Sequence, residues 1–308
     1  MEIVHTPVMK EEVLSYLIPQ CEDAVMIDCT TGEGGHSEAF LERYPRLKVI
    51  GLDRDPSIQA KATERLKKFQ DRFTPVPCWF NDYLETAGDE SADLILFDLG
   101  ISVFHYVESR RGFSFKSDER LDMRLDPDQR LDAETVVNEY GEKELADLIY
   151  QYSEERYSRR IARRIVEERA KGRITTASAL ADIISSSVPP AYRYGRIHPA
   201  TRTFQALRIE VNRELDRITP ALKQAVRVAR PGGLIAVITF HSLEDRQVKW
   251  FFREEAKNGV VEILTKHPVV AGEDECRVNP PSRSAKLRVV RKVEGKKDGY
   301  ENKKETGA

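Results

Sequence analysis

The sequence predicts an α/β fold: an open, doubly wound sheet of seven strands, interrupted by a long, mainly helical insertion. Short apolar runs such as Val25–Ile27, Ala92–Phe97 and Leu234–Phe240 have strand length, and helix-like stretches separate them. A turn holding Gly32, Gly34 and Gly35 follows the first run. From Val103 to about Ala191 only helical periodicity recurs.

Taken in order, Thr6-Pro7 reads as a helix cap with proline at the first helical position, the helix running to Leu17. Strand one ends at Asp28, and a helix follows from Ser37 to Tyr44. Lys48–Leu52 is strand two, ending at Asp53, and Asp55-Pro56 opens a helix to about Phe69. Thr74–Cys78 is strand three, with Trp79–Asp82 as the loop after it. Strand four, Ala92–Phe97, ends at Asp98. Helices are expected within the insertion at 132–139, 142–152, 153–170 and 177–188. One long helix from Thr201 to about Ala229 returns to the sheet through the turn Pro231-Gly232-Gly233. Leu234–Phe240 is strand five, and Ser242 with Asp245 resembles a capping box. Val260–Leu264 and Lys286–Lys292 complete the sheet as an antiparallel edge pair. The expected domains are a core of residues 1–103 and 205–293, an insertion of 104–204, and a disordered tail of 294–308.

Strand, glycine turn and helix start form an adenosine-nucleotide site at the carboxyl edge of such a sheet. Glycine lets the backbone approach a ligand, and the helix start offers free N–H groups. Asp53, eighteen residues past Gly35, suits the two hydroxyls of a ribose. The third glycine of a dinucleotide fingerprint is replaced by Ser37. Asp28 would sit badly beside a pyrophosphate and well beside a cationic methionine moiety. Both departures favour S-adenosylmethionine over NAD. Phe80 could stack on the adenine, with Asn81 or Asp82 bonding its amino group, or Trp79 and Phe80 could simply close the core. Asp98, at the end of the central strand, stands where catalytic groups collect.

The chain has 308 residues, 40% hydrophobic and 32% charged, which describes a well-charged globular protein. Its apolar runs are too short to span a bilayer, and Met1–His5 lacks the regions of a signal peptide, so a cytoplasmic protein with no membrane partner is expected. Cys21, Cys29, Cys78 and Cys276 are scattered without metal-ligand pairing; they read as reduced, buried hydrophobes, and no metal is expected. The net charge of −2 hides an asymmetry. Residues 118–134 carry seven acids against three arginines, 154–173 eight basic side chains against four glutamates, and 276–297 eight against one. Basic stripes of this kind bind polyanions, or are merely solvated helix faces. Arg156, Arg160 and Arg163 or Arg164 recur at spacings of three and four, on one helix face.

Several motifs resemble the RsmH (MraW) family. They are His5-Thr6-Pro7-Val8, Asp28-x-Thr30-x-Gly32-x-Gly34-Gly35-His36-Ser37 and Asp53-Arg54-Asp55-Pro56, then Arg111–Phe115, Leu121–Arg124 and Tyr152–Arg156 with Arg160–Ala162. The long stretches His198–Arg208 and Phe240–Arg246 belong to no generic nucleotide fold and complete the set, in family order to about residue 292. The resemblance implies a Rossmann-like class I methyltransferase using S-adenosylmethionine to modify N4 of a cytidine in the decoding region of small-subunit ribosomal RNA, in the bacterial cytoplasm. Its cofactor contacts fall on Gly34, Gly35, His36, Asp53, Phe80 and Asp98, beside the Asp28 and Gly32 of the turn. Where the family continues the Asp-Leu-Gly turn with Ser-Ser-Pro-Gln, this chain reads Ser102-Val103-Phe104-His105, so the glutamine contact falls on His105.

A cytosine amino group is a poor nucleophile, and an acceptor on its hydrogens would help the proton leave. Asp98 is the candidate, with Ser102 or a backbone carbonyl as the alternative. Phe104, Tyr106, Phe113 and Phe115 are candidates to hold a flipped base, and Arg156, Arg160, Arg163, Arg164, Arg196 and Arg202 to hold RNA phosphates. His198 and His241 read rather as loop packing and helix capping. The expected partner is small-subunit ribosomal RNA or the assembled subunit, bound by a monomer or homodimer. The competing classes are a methyltransferase acting on another RNA, a protein or a small molecule, and a non-catalytic RNA-binding assembly factor.

Overall fold

Strands covered on both faces need no polar alternation, and the apolar runs of this chain pair accordingly. The computed structural model describes residues 6–294. His5 of the first motif and the expected disordered tail from residue 295 on lie outside them. The described residues form two compact units, 6–100 with 217–294, and 101–216.

In the first unit the order begins α1 (Lys10–Tyr16), β1 (Val25–Asp28), α2 (Gly35–Arg43), β2 (Lys48–Leu52) and α3 (Pro56–Leu66). It continues with β3 (Phe73–Val76), α4 (Phe80–Thr86) and β4 (Ala92–Asp98). The second unit holds α5 (Val103–Val107), α6 (Ala133–Glu139), α7 (Glu142–Ser153), α8 (Ser158–Arg169), α9 (Ala177–Ser187), α10 (Pro190–Arg193) and α11 (Ala200–Asn212). Helix α12 (Glu214–Val228) leads back to β5 (Ala229–Thr239), α13 (Ser242–Lys257), β6 (Val261–Ile263), α14 (Glu273–Val278) and β7 (Lys286–Lys292).

The seven strands run β3-β2-β1-β4-β5-β7-β6, the first five parallel and β7 antiparallel to both neighbours. Ile27 on β1 lies between Ile50 and Ile95, at the point where the strand order reverses. A crevice forms outside the carboxyl ends of the strands at such a point. Met26, Phe40, Leu96, Ile238 and Val289 belong to the core of this unit. The insertion has its own core, including Val136, Leu145, Ile161, Leu180 and Leu207. Among its described residues the only ladder is the single bridge Arg120–Thr176.

Several boundaries differ from the sequence reading, each for a tertiary reason. The first helix starts at Lys10, because Met9 is left-handed at φ 55° and its N–H donates to Glu275 Oε1 at 2.7 Å. Pro7 serves instead as packing for Gly35, where an added Cβ would lie 3.1 Å from its ring. Trp79–Asp82 is no loop: α4 begins at Phe80. The long helix expected from Thr201 breaks at Arg213 (φ 50°), where Asn212 Nδ2 donates to the Met123 carbonyl at 2.8 Å and Arg208 forks onto Glu214 at 2.8 Å. Helix α11 packs in the insertion, so the second unit ends at 216, against the expected 204. The capping box is shifted by one residue: Glu244 Oε2 accepts from the N–H groups of Phe240 and His241, at 2.8 and 3.2 Å. Of the four cysteines only Cys29 is buried, and Cys21 is exposed; all four are free thiols.

Candidate active site

The glycine turn is built on Asp28. This side chain is only 1% exposed: Oδ2 accepts from the Ser37 hydroxyl at 2.6 Å and Oδ1 from the Thr30 N–H at 3.3 Å. Burial pushes its pKa up against the pull of those bonds and of His36. The sequence reading set Asp28 beside a ligand, whereas the structure turns it inward, where it ties the two ends of the turn together. Gly32 is left-handed (φ +54°), an added Cβ would meet Ile58 Cδ1 at 3.8 Å, an ordinary contact, and its N–H donates to Asp53 Oδ2 at 3.0 Å. Gly34 (φ +82°) is pressed against Leu66 and caps α2.

Asp53 stands just past β2, where its carboxylate accepts from the Gly32 N–H and, at 2.9 Å on Oδ1, from the Asp55 N–H. A carboxylate at the tip of the second strand, fixed by the backbone of the glycine turn, is placed as a ribose-binding acid is in such sheets. Asp98 closes β4: its N–H donates to Thr30 Oγ1 at 2.6 Å, and its Oδ2 lies 3.5 Å from His36 Nε2. His36 is 6% exposed, and Asp98 Oδ1 is a buried acceptor with no protein donor. A ligand N–H is the natural complement to such an atom. Phe80 is half-buried, edge-on to Phe97 at 5.5 Å. Beside it, Asn81 Nδ2 donates to the Arg217 carbonyl at 3.0 Å, and the Arg217 guanidinium lies 4.0 Å over the Trp79 ring. The structure therefore brings Gly32, Gly34, Gly35, His36, Asp53 and Asp98 together around the carboxyl edge of β1, β2 and β4.

In the second unit, Ser102 Oγ accepts from the Phe104 N–H at 3.2 Å and caps α5. The Ser102–His105 run is thus a helical turn, and His105, 4% exposed, packs edge-on between Phe104 and Phe113. Phe115 stacks on His198 at 4.4 Å.

The six arginines form two groups rather than one face. Helix α8 begins only at Ser158, so Arg156 precedes it and lies over the rings of Tyr157 and Tyr192 at 4.9 and 5.0 Å. Arg156, Arg196 and Arg202 line one cavity of about 300 Å³. Glu155, wholly buried, accepts from the Tyr192 hydroxyl and lies 3.9 Å from Arg202. Arg160 and Arg163 are exposed on α8, Arg163 lying 3.5 Å from Glu142, and Arg164 is ion-paired with Glu168 at 2.6 Å. Sequence reasoning missed Thr30, Glu155 and Tyr192. Thr30 lies inside a quoted motif, but nothing in the sequence signals that Glu155 and Tyr192 meet.

A parallel sheet with an antiparallel seventh strand, a glycine turn after β1 and acids after β2 and β4 define a class I methyltransferase. The sequence matches the MraW methylase family over residues 2–293, and the chain belongs to that family. It is 53% identical to the ribosomal RNA small subunit methyltransferase H of Treponema denticola, over 96% of this chain and 99% of that protein. The enzymes of the same name from Leptospira borgpetersenii and Persephonella marina are 46% and 45% identical, over 99% and 94% of this chain and the whole of each protein.

Proposed function

We propose that this protein methylates small-subunit ribosomal RNA at N4 of a cytidine in the decoding region, with S-adenosylmethionine as donor, in the bacterial cytoplasm. The observation that carries this reading is near full-length identity of 45–53% to enzymes named for that substrate, together with a carboxyl-edge site whose donors and acceptors fit the donor molecule. S-adenosylmethionine supplies, when bound, a methyl group on a sulfonium.

The chain's own residues do the rest. Asp53 takes the ribose hydroxyls, the Gly32–Gly35 turn admits the nucleoside, and Phe80 supports the adenine. The unpartnered Oδ1 of Asp98 accepts an N–H from the donor's amino group or from the target amine. In the second case it draws out the proton that the amine must lose. Ser102 keeps its proton to donate, because its oxygen serves as the helix cap. The arginine cavity and the outer face of α8 hold phosphates, and holding the amine in line contributes most of the acceleration.

The test incubates the protein and methyl-labelled S-adenosylmethionine with small subunits from a strain lacking this gene, and digests the product. Label in N4-methylcytidine is expected. Asp53→Ala is expected to weaken donor binding by at least a hundredfold in calorimetry, and Asp98→Asn to cut turnover by about a hundredfold or more. Label in another nucleoside, or in protein, overturns the target; unchanged donor affinity in Asp53→Ala removes the ribose assignment.

A further inference from the structure

Helix α13 reads as neutral in sequence, with four acids and four bases, but the fold sorts them. Glu244 and Glu255 are buried, and Asp245 is held by Arg288 at 2.7 Å and Lys286 at 3.5 Å. Only Glu254 among the acids is exposed. Three of the four bases, Arg246, Arg253 and Lys257, are exposed, and half-buried Lys249 holds its ammonium 5.9 Å from the Trp250 ring. Positions 246, 250, 253 and 257 are four, three and four apart, which places them on one stripe of the helix. Trp250, 55% exposed, sits in the middle of it.

We infer that this stripe is an RNA-contacting surface on the sheet-bearing unit, with Trp250 stacking an unpaired base and the flanking cations holding phosphates of the same strand. The inference rests on the proposed RNA substrate and adds a contact that neither the basic runs of the sequence nor the arginines of the insertion provide. A cationic stripe with a central flat ring is how single strands are bound without sequence readout. The chemistry disfavours other occupants. A membrane-surface helix needs an apolar face, and the apolar face of α13, with Val248 and Phe252, is already buried. The core of a protein interface is poor in charge, whereas Trp250 has charged neighbours on both sides along the stripe.

The test titrates wild type, Trp250→Ala and the double variant Arg253→Glu/Lys257→Glu with small-subunit ribosomal RNA from the strain lacking the gene, at several salt concentrations, with label transfer measured in parallel. Trp250→Ala is expected to weaken RNA binding about tenfold with an unchanged salt slope. The double variant is expected to weaken it further and to lower the slope by roughly one to two. Both should keep the wild-type melting temperature, since all three side chains are at the surface. Unchanged affinity and slope in both variants overturn the stripe, and if RNA methylation persists the proposed function stands. Absence of methyl transfer by the wild-type protein counts against that function instead, while the titration still decides the stripe. A change of sedimentation to a smaller species, with RNA affinity intact, makes the stripe a self-association face and overturns the inference.

Discussion

Gly34 shows how much a single position in the turn constrains. It holds φ +82°, and an added Cβ would stand 2.9 Å from Leu66 Cδ1. The leucine tip can shift, so the backbone conformation is the larger cost, about 1–2 kcal/mol for a side-chain-bearing residue. Gly34→Ala is therefore expected to lower unfolding free energy by about that amount and to weaken S-adenosylhomocysteine binding at least tenfold, as read by denaturant titration and calorimetry. An unchanged midpoint would mean that the turn re-forms around the methyl group. The glycine turn and the place of Asp53 just past β2 were legible in the sequence because turn geometry and strand ends depend on short, local spacings. The inward turn of Asp28 was not legible for the converse reason: its partner Ser37 lies nine residues away, and only the fold shows that this pair closes the turn.

At the scale of elements, the strands β2 and β7 were legible to the residue, whereas several helix starts were not. The helix start at Lys10 is fixed by a contact distant in sequence, and that at Ser242 by a cap one residue from the expected one. The join of α13 to β7 offers a test of such contacts. Burial alone would raise the Asp245 carboxyl, but the Arg288 guanidinium and Lys286 ammonium outweigh it and hold the pKa below the usual carboxylate range. A carboxyl lowered in the folded state contributes stability that is complete above its unfolded value, near 4, and is lost as pH falls through the lower folded value. Asp245→Asn is accordingly expected to cost about 1–2 kcal/mol at pH 7. The difference from wild type should shrink below about pH 4. Urea midpoints from pH 2.5 to 7 measure it, and a pH-independent difference would assign the loss to packing instead.

For the whole molecule, the existence of an insertion was legible, since a strand pattern that stops for about a hundred residues and then resumes leaves the intervening residues outside the sheet, whose strands β4 and β5 pair directly across the gap. Its end was not, because α11 carries helical periodicity like α12 and only its packing on α7 places it in the second unit. Each unit has its own buried core. The proposed donor site draws its glycine turn, Asp53 and Asp98 from the first unit alone, so a ligand there stabilises that unit by mass action, about 2.7 kcal/mol at a hundredfold excess over its Kd. S-adenosylhomocysteine is therefore expected to slow hydrogen exchange at residues 28–36, 53–56 and 98–100, while α6, α7 and α9 exchange at their unliganded rates. Protection is set by the free energy of the opening that exposes each amide. Equal slowing throughout α6, α7 and α9 would show that the two cores open as one, and that the donor's binding energy is shared by the unit proposed to meet the RNA.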